Sequence, residues 1–457
     1  MRRALILAAL AAAAPAAAEA ATGDPVVLSE TPGAGDASPD AATPPLPLPP
    51  PDPLRTGSVK PERPAENEPP VAPVRRTPPD LDPYEPLGIH VGSFILYPSV
   101  TIGAGYTTNA PAAAGGAASG YVSVTPELKV RSDWARHELS LTLRGSSDRF
   151  FSDAAADKPS ASLEAGARLD LADGWQANLD GSYAVERKSV TNAVFPPDSD
   201  PTGEVRTLSG DAGITRNLGP AAITLAARAT RTTYGVATGG GVTLDQSDRD
   251  NVDYGARVRL AYEVTPALSP FVEAEVSRRS FDQAVDSNGI ARASRGVAVR
   301  AGVAIDTGPL LAGEVAIGAQ RQTFADPALA DIAALTVDGS LTWAPTPLVT
   351  VTADLSTAIN PGTDPASSGS VEYDASLETT YAWRDNIDLS VNAGLVHERF
   401  QGTGENDRTY SVGAGITWKI NRYLRLTGSY THEWLVSNDA ASNYTADGVR
   451  VDLKVQR

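Results

Sequence analysis

Val449-Arg450-Val451-Asp452-Leu453-Lys454-Val455-Gln456 alternates apolar and polar side chains without a break. Successive side chains of a β-strand point to opposite faces, so the segment reads as a strand with two unlike surroundings. Upstream the alternation returns. Leu139, Leu141 and Leu143 oppose Ser140, Thr142 and Arg144, and Val297, Val299, Ala301, Val303 and Ile305 oppose Ala298, Arg300, Gly302 and Ala304. Ile387, Leu389, Val391, Ala393 and Leu395 oppose Asp388, Ser390, Asn392 and Gly394. From Phe94 onward the pattern recurs about eighteen times with no segment of helical period between. The apolar faces then have only one another or lipid to meet. A closed barrel with lipid outside and water inside suits every strand at once. The expected fold is therefore all-β: a transmembrane antiparallel up-and-down barrel of about 18 strands (16–18) over residues 87–457. A soluble β-solenoid would need shorter strands and a fixed repeat, which the chain lacks.

The connections support this. Short turns are expected at 133–136, 173–174, 217–220, 265–270, 307–309, 345–347, 384–386 and 421–422, and longer polar loops at 110–120, 188–203, 237–249, 282–293 and 361–369. Alternation of tight and long connections is the outer-membrane pattern, and an even strand number leaves both ends in the periplasm. Aromatic residues divide in the same way. Trp134, Trp175, Trp343, Trp383 and Trp418 sit beside short turns. Tyr106, Tyr121, Phe150, Tyr234, Tyr254, Phe324, Phe400, Tyr410 and Trp434 sit beside long loops. Two such bands are expected to form aromatic girdles at the two membrane–water interfaces. The chain ends on Arg457, not on the aromatic residue that closes many outer-membrane barrels.

Residues 1–20 read as a secretory signal peptide: Arg2 and Arg3, an alanine-rich apolar run, and a small-x-small site at Ala18-Glu19-Ala20. Residues 21–86 crowd prolines (Pro44, Pro45, Pro47, Pro49, Pro50, Pro51, Pro53) among Ala, Asp and Glu. Such a stretch cannot bury enough apolar surface to order itself and is expected to be an extended periplasmic arm. The chain has no cysteine, so it holds no disulfide or thiolate metal site. A net charge of −17 argues against a nucleic-acid partner.

The stretch Pro86-Leu87-Gly88-Ile89-His90-Val91-Gly92-Ser93-Phe94-Ile95-Leu96-Tyr97-Pro98 resembles the opening box of a β-barrel porin family of Gram-negative outer membranes, of the "β-barrel porin 2" type. Gly103-Ala104-Gly105-Tyr106-Thr107-Thr108-Asn109 and Ser132-Asp133-Trp134-Ala135-Arg136-His137 resemble it too. The resemblance implies an outer-membrane barrel, in some relatives linked to exopolysaccharide production or export. It implies no catalytic residues.

If the apolar face meets lipid, the other face lines the lumen. Arg144, Arg168, Arg228, Arg257, Arg259 and Arg300 come from earlier strands, and Asp338, Asp354, Glu372, Asp374, Glu378 and Asp388 from later ones. The expectation is a basic wall facing an acidic one across a narrow channel. Loop 191–203, with Phe195-Pro196-Pro197 and Asp198-Ser199-Asp200, is a candidate constriction or divalent-ion loop, though turn-rich loops of this kind are ordinarily solvated surface. His397 and His432 raise a barrel-hydrolase reading, but they share the apolar face while Ser411 and Ser429 do not. No phosphate loop or metal-ligand spacing is present. The expected protein is a non-enzymatic, cofactor-free, metal-free channel for small polar solutes or oligosaccharides. The alternative is a structural or export component of an exopolysaccharide secretion system. Its expected partners are outer-membrane lipid, polar solutes or polysaccharide, and periplasmic or secretion-system proteins reached through the proline-rich arm.

Overall fold

The computed structural model describes residues 83–457 apart from 153–154, 156, 190–200 and 363–366. The expected signal peptide and nearly all of the arm lie outside the described residues. In chain order the strands are β1 (Ile89–Val91), β2 (Phe94–Thr107), β3 (Ser119–Ser132), β4 (His137–Phe150), β5 (Ser160–Asp170), β6 (Trp175–Ser189), β7 (Thr202–Leu218) and β8 (Ala221–Tyr234). A small hairpin, β9 (Ala237–Gly239) and β10 (Val242–Leu244), precedes β11 (Asn251–Tyr262), β12 (Leu268–Phe281), β13 (Ser294–Asp306), β14 (Leu311–Phe324) and β15 (Ile332–Thr346). The chain closes with β16 (Val349–Pro361), β17 (Gly369–Arg384), β18 (Ile387–Gln401), β19 (Asn406–Asn421), β20 (Leu424–Ser437) and β21 (Tyr444–Gln456).

Each long strand pairs antiparallel with its neighbours in sequence, and β2 pairs with β21 from Ser99↔Gln456 to Thr107↔Gly448. That last ladder joins the two ends of the sheet. The result is a closed antiparallel barrel of 18 long strands. Closure is the physical requirement of a wall in lipid, because an open edge would leave a row of backbone donors and acceptors unpaired in hydrocarbon. The short strand β1 pairs with the start of β2, below the point where β21 ends.

The alternation resolves into an outer and an inner face. Val272, Val299, Ile317 and Leu335, on four successive strands, are 52%, 57%, 56% and 57% exposed on the outside. Their inward counterparts Glu273 and Arg300 are each 2% exposed. Large apolar side chains left bare on one surface, with charged ones buried on the other, invert a soluble protein and match a barrel in lipid.

Trp134, Trp175, Trp343, Trp383 and Trp418 all lie exposed at the short-turn end. At the long-loop end Tyr106 and Tyr254 are exposed, and Trp434 stacks on Tyr410 with ring centroids 5.2 Å apart. The second band is thinner than the sequence suggested. Tyr121 is 4% exposed and meets Phe150 at 5.4 Å on the inner face, since it lies in register with inward Gly105. Phe324 likewise packs inside, beside Ile332. An aromatic near a strand end takes the face its register allows, and proximity to the interface does not override that parity.

Candidate functional site

The inner wall from β8 to β15 is an ion-paired lattice. Arg300 on β13 places Nη1 3.3 Å from Glu273 Oε1 and 3.3 Å from Glu275 Oε2, with Nε 3.1 Å from Asp338 Oδ2. Arg257 lies 3.9 Å from Glu273, and Arg228 reaches Glu275 at 2.8 Å and Asp253 at 3.8 Å. Arg259 donates to both oxygens of Glu314, at 3.2 and 2.7 Å, while its guanidinium lies 3.6 Å from the ring centre of Phe271. Arg279 completes the group, 3.3 Å from Asp253.

These contacts place carboxylates among the arginines of the expected basic wall. Glu273, Glu275 and Glu314 alternate with outward residues on β12 and β14, so the same period-two pattern that places the arginines inward also places these carboxylates beside them. Asp338, expected on the acidic wall, is a direct partner of Arg300. Inward glycines give the long side chains room to lie flat. A Cβ at Gly318 would come within 2.7 Å of Arg300 Cγ, and one at Gly255 within 2.7 Å of Arg228 Nε. Arg144 pairs with Glu127 at 3.8 Å, and Arg168 with Glu138 at 3.4 Å and Asp170 at 3.6 Å, on the more open wall of β3 to β5.

The wall from β16 to β20 differs. Asp388 pairs with Lys419 at 2.9 Å. Asp354, Glu372, Asp374 and Glu378 share the inner face and have no ion pair among the described residues. Two carboxylates missed by the sequence reading join them. Glu398 and Asp407 stand opposite each other across β18 and β19, and Glu398 Oε1 accepts a hydrogen bond from the Ser370 hydroxyl. Asp407 is 6% exposed, and its Oδ1 has no hydrogen-bond partner.

The upper part of β16 parts from β15, while β17 stays paired with β18 as far as Gly369↔Gln401. Pairing of β15 with β16 stops at Gly339↔Leu355, whereas β16 and β17 stay paired to Pro361↔Gly369. Thr357 fills the gap, its hydroxyl accepting from Val337 N at 2.9 Å and donating to Val337 O at 3.0 Å, while its own N–H donates to Asp338 Oδ1 at 3.0 Å. Beyond it, Ile359 and Val371 pack against Ile332, which is fully buried and faces inward on β15. The outer face of the hairpin therefore lies on the inner face of β14 and β15, and the hairpin leans into the lumen. Its free face carries Glu372, held by Asn360 Nδ2 at 3.1 Å. Lys188 on β6, halfway round the ring, lies within electrostatic reach of Glu372.

Loop 282–293 clamps the hairpin tip. Arg292 Nη1 donates to Gly362 O at 2.9 Å and Ser367 O at 3.1 Å, and its Nε lies 2.6 Å from Asp286 Oδ2. Burial alone would raise the Asp286 carboxyl, but donors from Ile290 N, Arg292 and Asn288 N hold it below the usual carboxylate range. Asp326 secures the same loop from the next one, accepting from Ala291 N at 3.1 Å and Ala328 N at 2.9 Å. The other candidate narrowing, loop 191–203, lies outside the described residues except at its last three positions.

The histidines assemble no hydrolytic set. His397 Nε2 meets Asn406 Oδ1 at 2.9 Å, and His432 Nδ1 meets Asp447 Oδ1 at 2.8 Å, while Ser411 and Ser429 stand on the opposite, inner face. Among the described residues no group of three His, Asp or Glu is arranged to hold a metal ion.

The family described as "Putative beta-barrel porin 2" matches residues 82–457. The chain belongs to this family. No curated protein matches its sequence. Solved structures similar to it include the copper transporter OprC (10% identity, 81% of each chain covered, TM-score 0.46). Two from Pseudomonas aeruginosa are also similar: the outer membrane protein opdK (11% identity, 79% of this chain and 99% of that one, TM-score 0.40) and OpdL (11%, 80% and 99%, TM-score 0.40). At this similarity they bear on neither solute nor partner.

Proposed function

We propose that this β-barrel porin 2 family member is an outer-membrane channel that passes small polar solutes through a water-filled, charged lumen. One observation carries the reading: 18 strands close into a ring whose outer face is apolar and whose inner face is polar and charged. Barrels of sixteen to eighteen strands are wide enough to leave an aqueous channel, unlike eight-stranded barrels, which side chains can fill. The wall of β3 to β5, where Arg144 and Arg168 keep about a third of their side chains exposed, supplies the open side of that channel. The basic and acidic residues of the lumen would set its electrostatics, and the exposed tryptophans at the short-turn end would anchor it at the membrane interface. Purified protein in planar bilayers should give discrete conductance steps. A folded, heat-modifiable barrel that never conducts would reject this reading.

A second reading, an outer-membrane component of polysaccharide export, is favoured by the way the chain enters. Arg425, at the short-turn end of β20, donates to Tyr84 O at 3.4 Å, so the segment before β1 meets the barrel mouth. An N-terminal arm emerging there could engage a periplasmic partner. A barrel without conductance steps that captures periplasmic proteins only when residues 21–82 are present would favour it.

A further inference from the structure

Resting on the channel reading, we infer that the inward-leaning β16–β17 hairpin is the constriction of the lumen and that its carboxylate face admits small cations in preference to anions. The hairpin's position comes from its packing. Ile359 and Val371 have the parity of lipid-facing residues, yet they are buried against inward Ile332. The upper end of the strand pair, still joined to the wall through β17 and β18, therefore overlaps the inner face of β14 and β15 and turns its opposite face toward the facing wall, where Lys188 comes within electrostatic reach of Glu372.

The sign of the selectivity comes from charge balance. On the wall from β8 to β15, five guanidiniums (Arg228, Arg257, Arg259, Arg279, Arg300) meet five carboxylates (Asp253, Glu273, Glu275, Glu314, Asp338). That wall offers a passing ion no surplus charge. The hairpin side does. Asp354, Glu372, Asp374, Glu378, Glu398 and Asp407 have no ion pair among the described residues, and Lys188, the cation within reach of Glu372, is already 2.6 Å from Glu186. Asp407 adds an independent sign of a missing partner. More than nine-tenths buried and in register with Glu398, it keeps one oxygen, Oδ1, without a hydrogen-bond donor, an arrangement that a cation would satisfy. Fixed charges act over roughly 8 Å at physiological salt, so carboxylates on a constriction govern whatever passes it. The class selected is the small cation, inorganic or alkylammonium.

The test is reversal potential in planar bilayers holding the full chain across a KCl gradient, repeated with 1,4-diaminobutane dihydrochloride. Potassium should permeate severalfold better than chloride. The triple variant Glu372→Gln, Asp374→Asn, Glu398→Gln should bring that ratio toward unity while keeping heat-modifiable migration. Lys188→Glu, which removes the cation within reach of Glu372 and adds a carboxylate, should raise the ratio, and it decides the matter if the triple variant does not fold. Conductance steps with no cation preference, or a preference that neither variant moves, would overturn the inference and leave the channel reading standing. A folded wild-type barrel without steps would overturn both.

Discussion

Arg300 shows what a charged side chain needs in order to sit inside this wall. It is 2% exposed, and three carboxylates from β12 and β15 surround it. A buried ion network contributes little net stability, because each charge gives up its hydration to join it. Removing one member is different, since the others stay desolvated without compensation. Arg300→Ala should therefore destabilise the barrel by about 3–5 kcal/mol, read as a lower transition temperature in heat-modifiability. Arg300→Ala combined with Glu273→Gln and Asp338→Asn should recover part of that loss, because fewer uncompensated carboxylates are left behind. At the lumen's open side, Arg144→Ala should cost less than about 1 kcal/mol in the same measurement, as its pair with Glu127 is solvated.

The hairpin and its clamp act as one element. Asp286 orients Arg292, and Arg292 holds the hairpin tip through Gly362 O and Ser367 O. Hydrogen bonds hold the Asp286 carboxyl below its usual value despite burial, so the sign is that of a depressed acid. Its contribution is complete above the unfolded value near 3.9 and is lost as pH falls through the lower folded-state value. Single-channel steps should thus be steady at neutral pH and become larger and noisier only in strong acid, below about pH 4. Arg292→Ala should produce the same noise at neutral pH. Because the chain has no cysteine, Glu372→Cys offers a clean probe. A cationic thiosulfonate reagent should block its current and leave the parent channel untouched; current unaffected by modification would place the hairpin outside the conduction path.

For the whole molecule, the decisive property is a ring with hydrocarbon on one side. Val258 lies outward in mid-strand on β11, between inward Arg257 and Arg259. Val258→Arg should cost about 2–4 kcal/mol near the bilayer midplane and reduce the folded fraction in membranes. The neighbouring inward substitution Thr224→Ser should leave that fraction unchanged. Much of this design could be read from residues alone. Period-two alternation told inward from outward along the barrel strands, and short and long connections were placed at opposite ends, because both depend on local geometry. Parity does not say what covers a face. Glu273 and Glu314 become partners of Arg300 and Arg259 only through the register and curvature of neighbouring strands, and Arg259 reaches Glu314 across two intervening strands. Ile359 and Val371 carry the same pattern as residues that touch lipid, and nothing in their spacing distinguishes them. The amino-acid sequence by itself determined a closed β-barrel, its two faces and its family. Only the tertiary structure decided which charges neutralise each other, because that follows from the register and curvature of neighbouring strands, and which hairpin leans into the lumen, because that follows from where β16 stops pairing with β15 and not from any local preference.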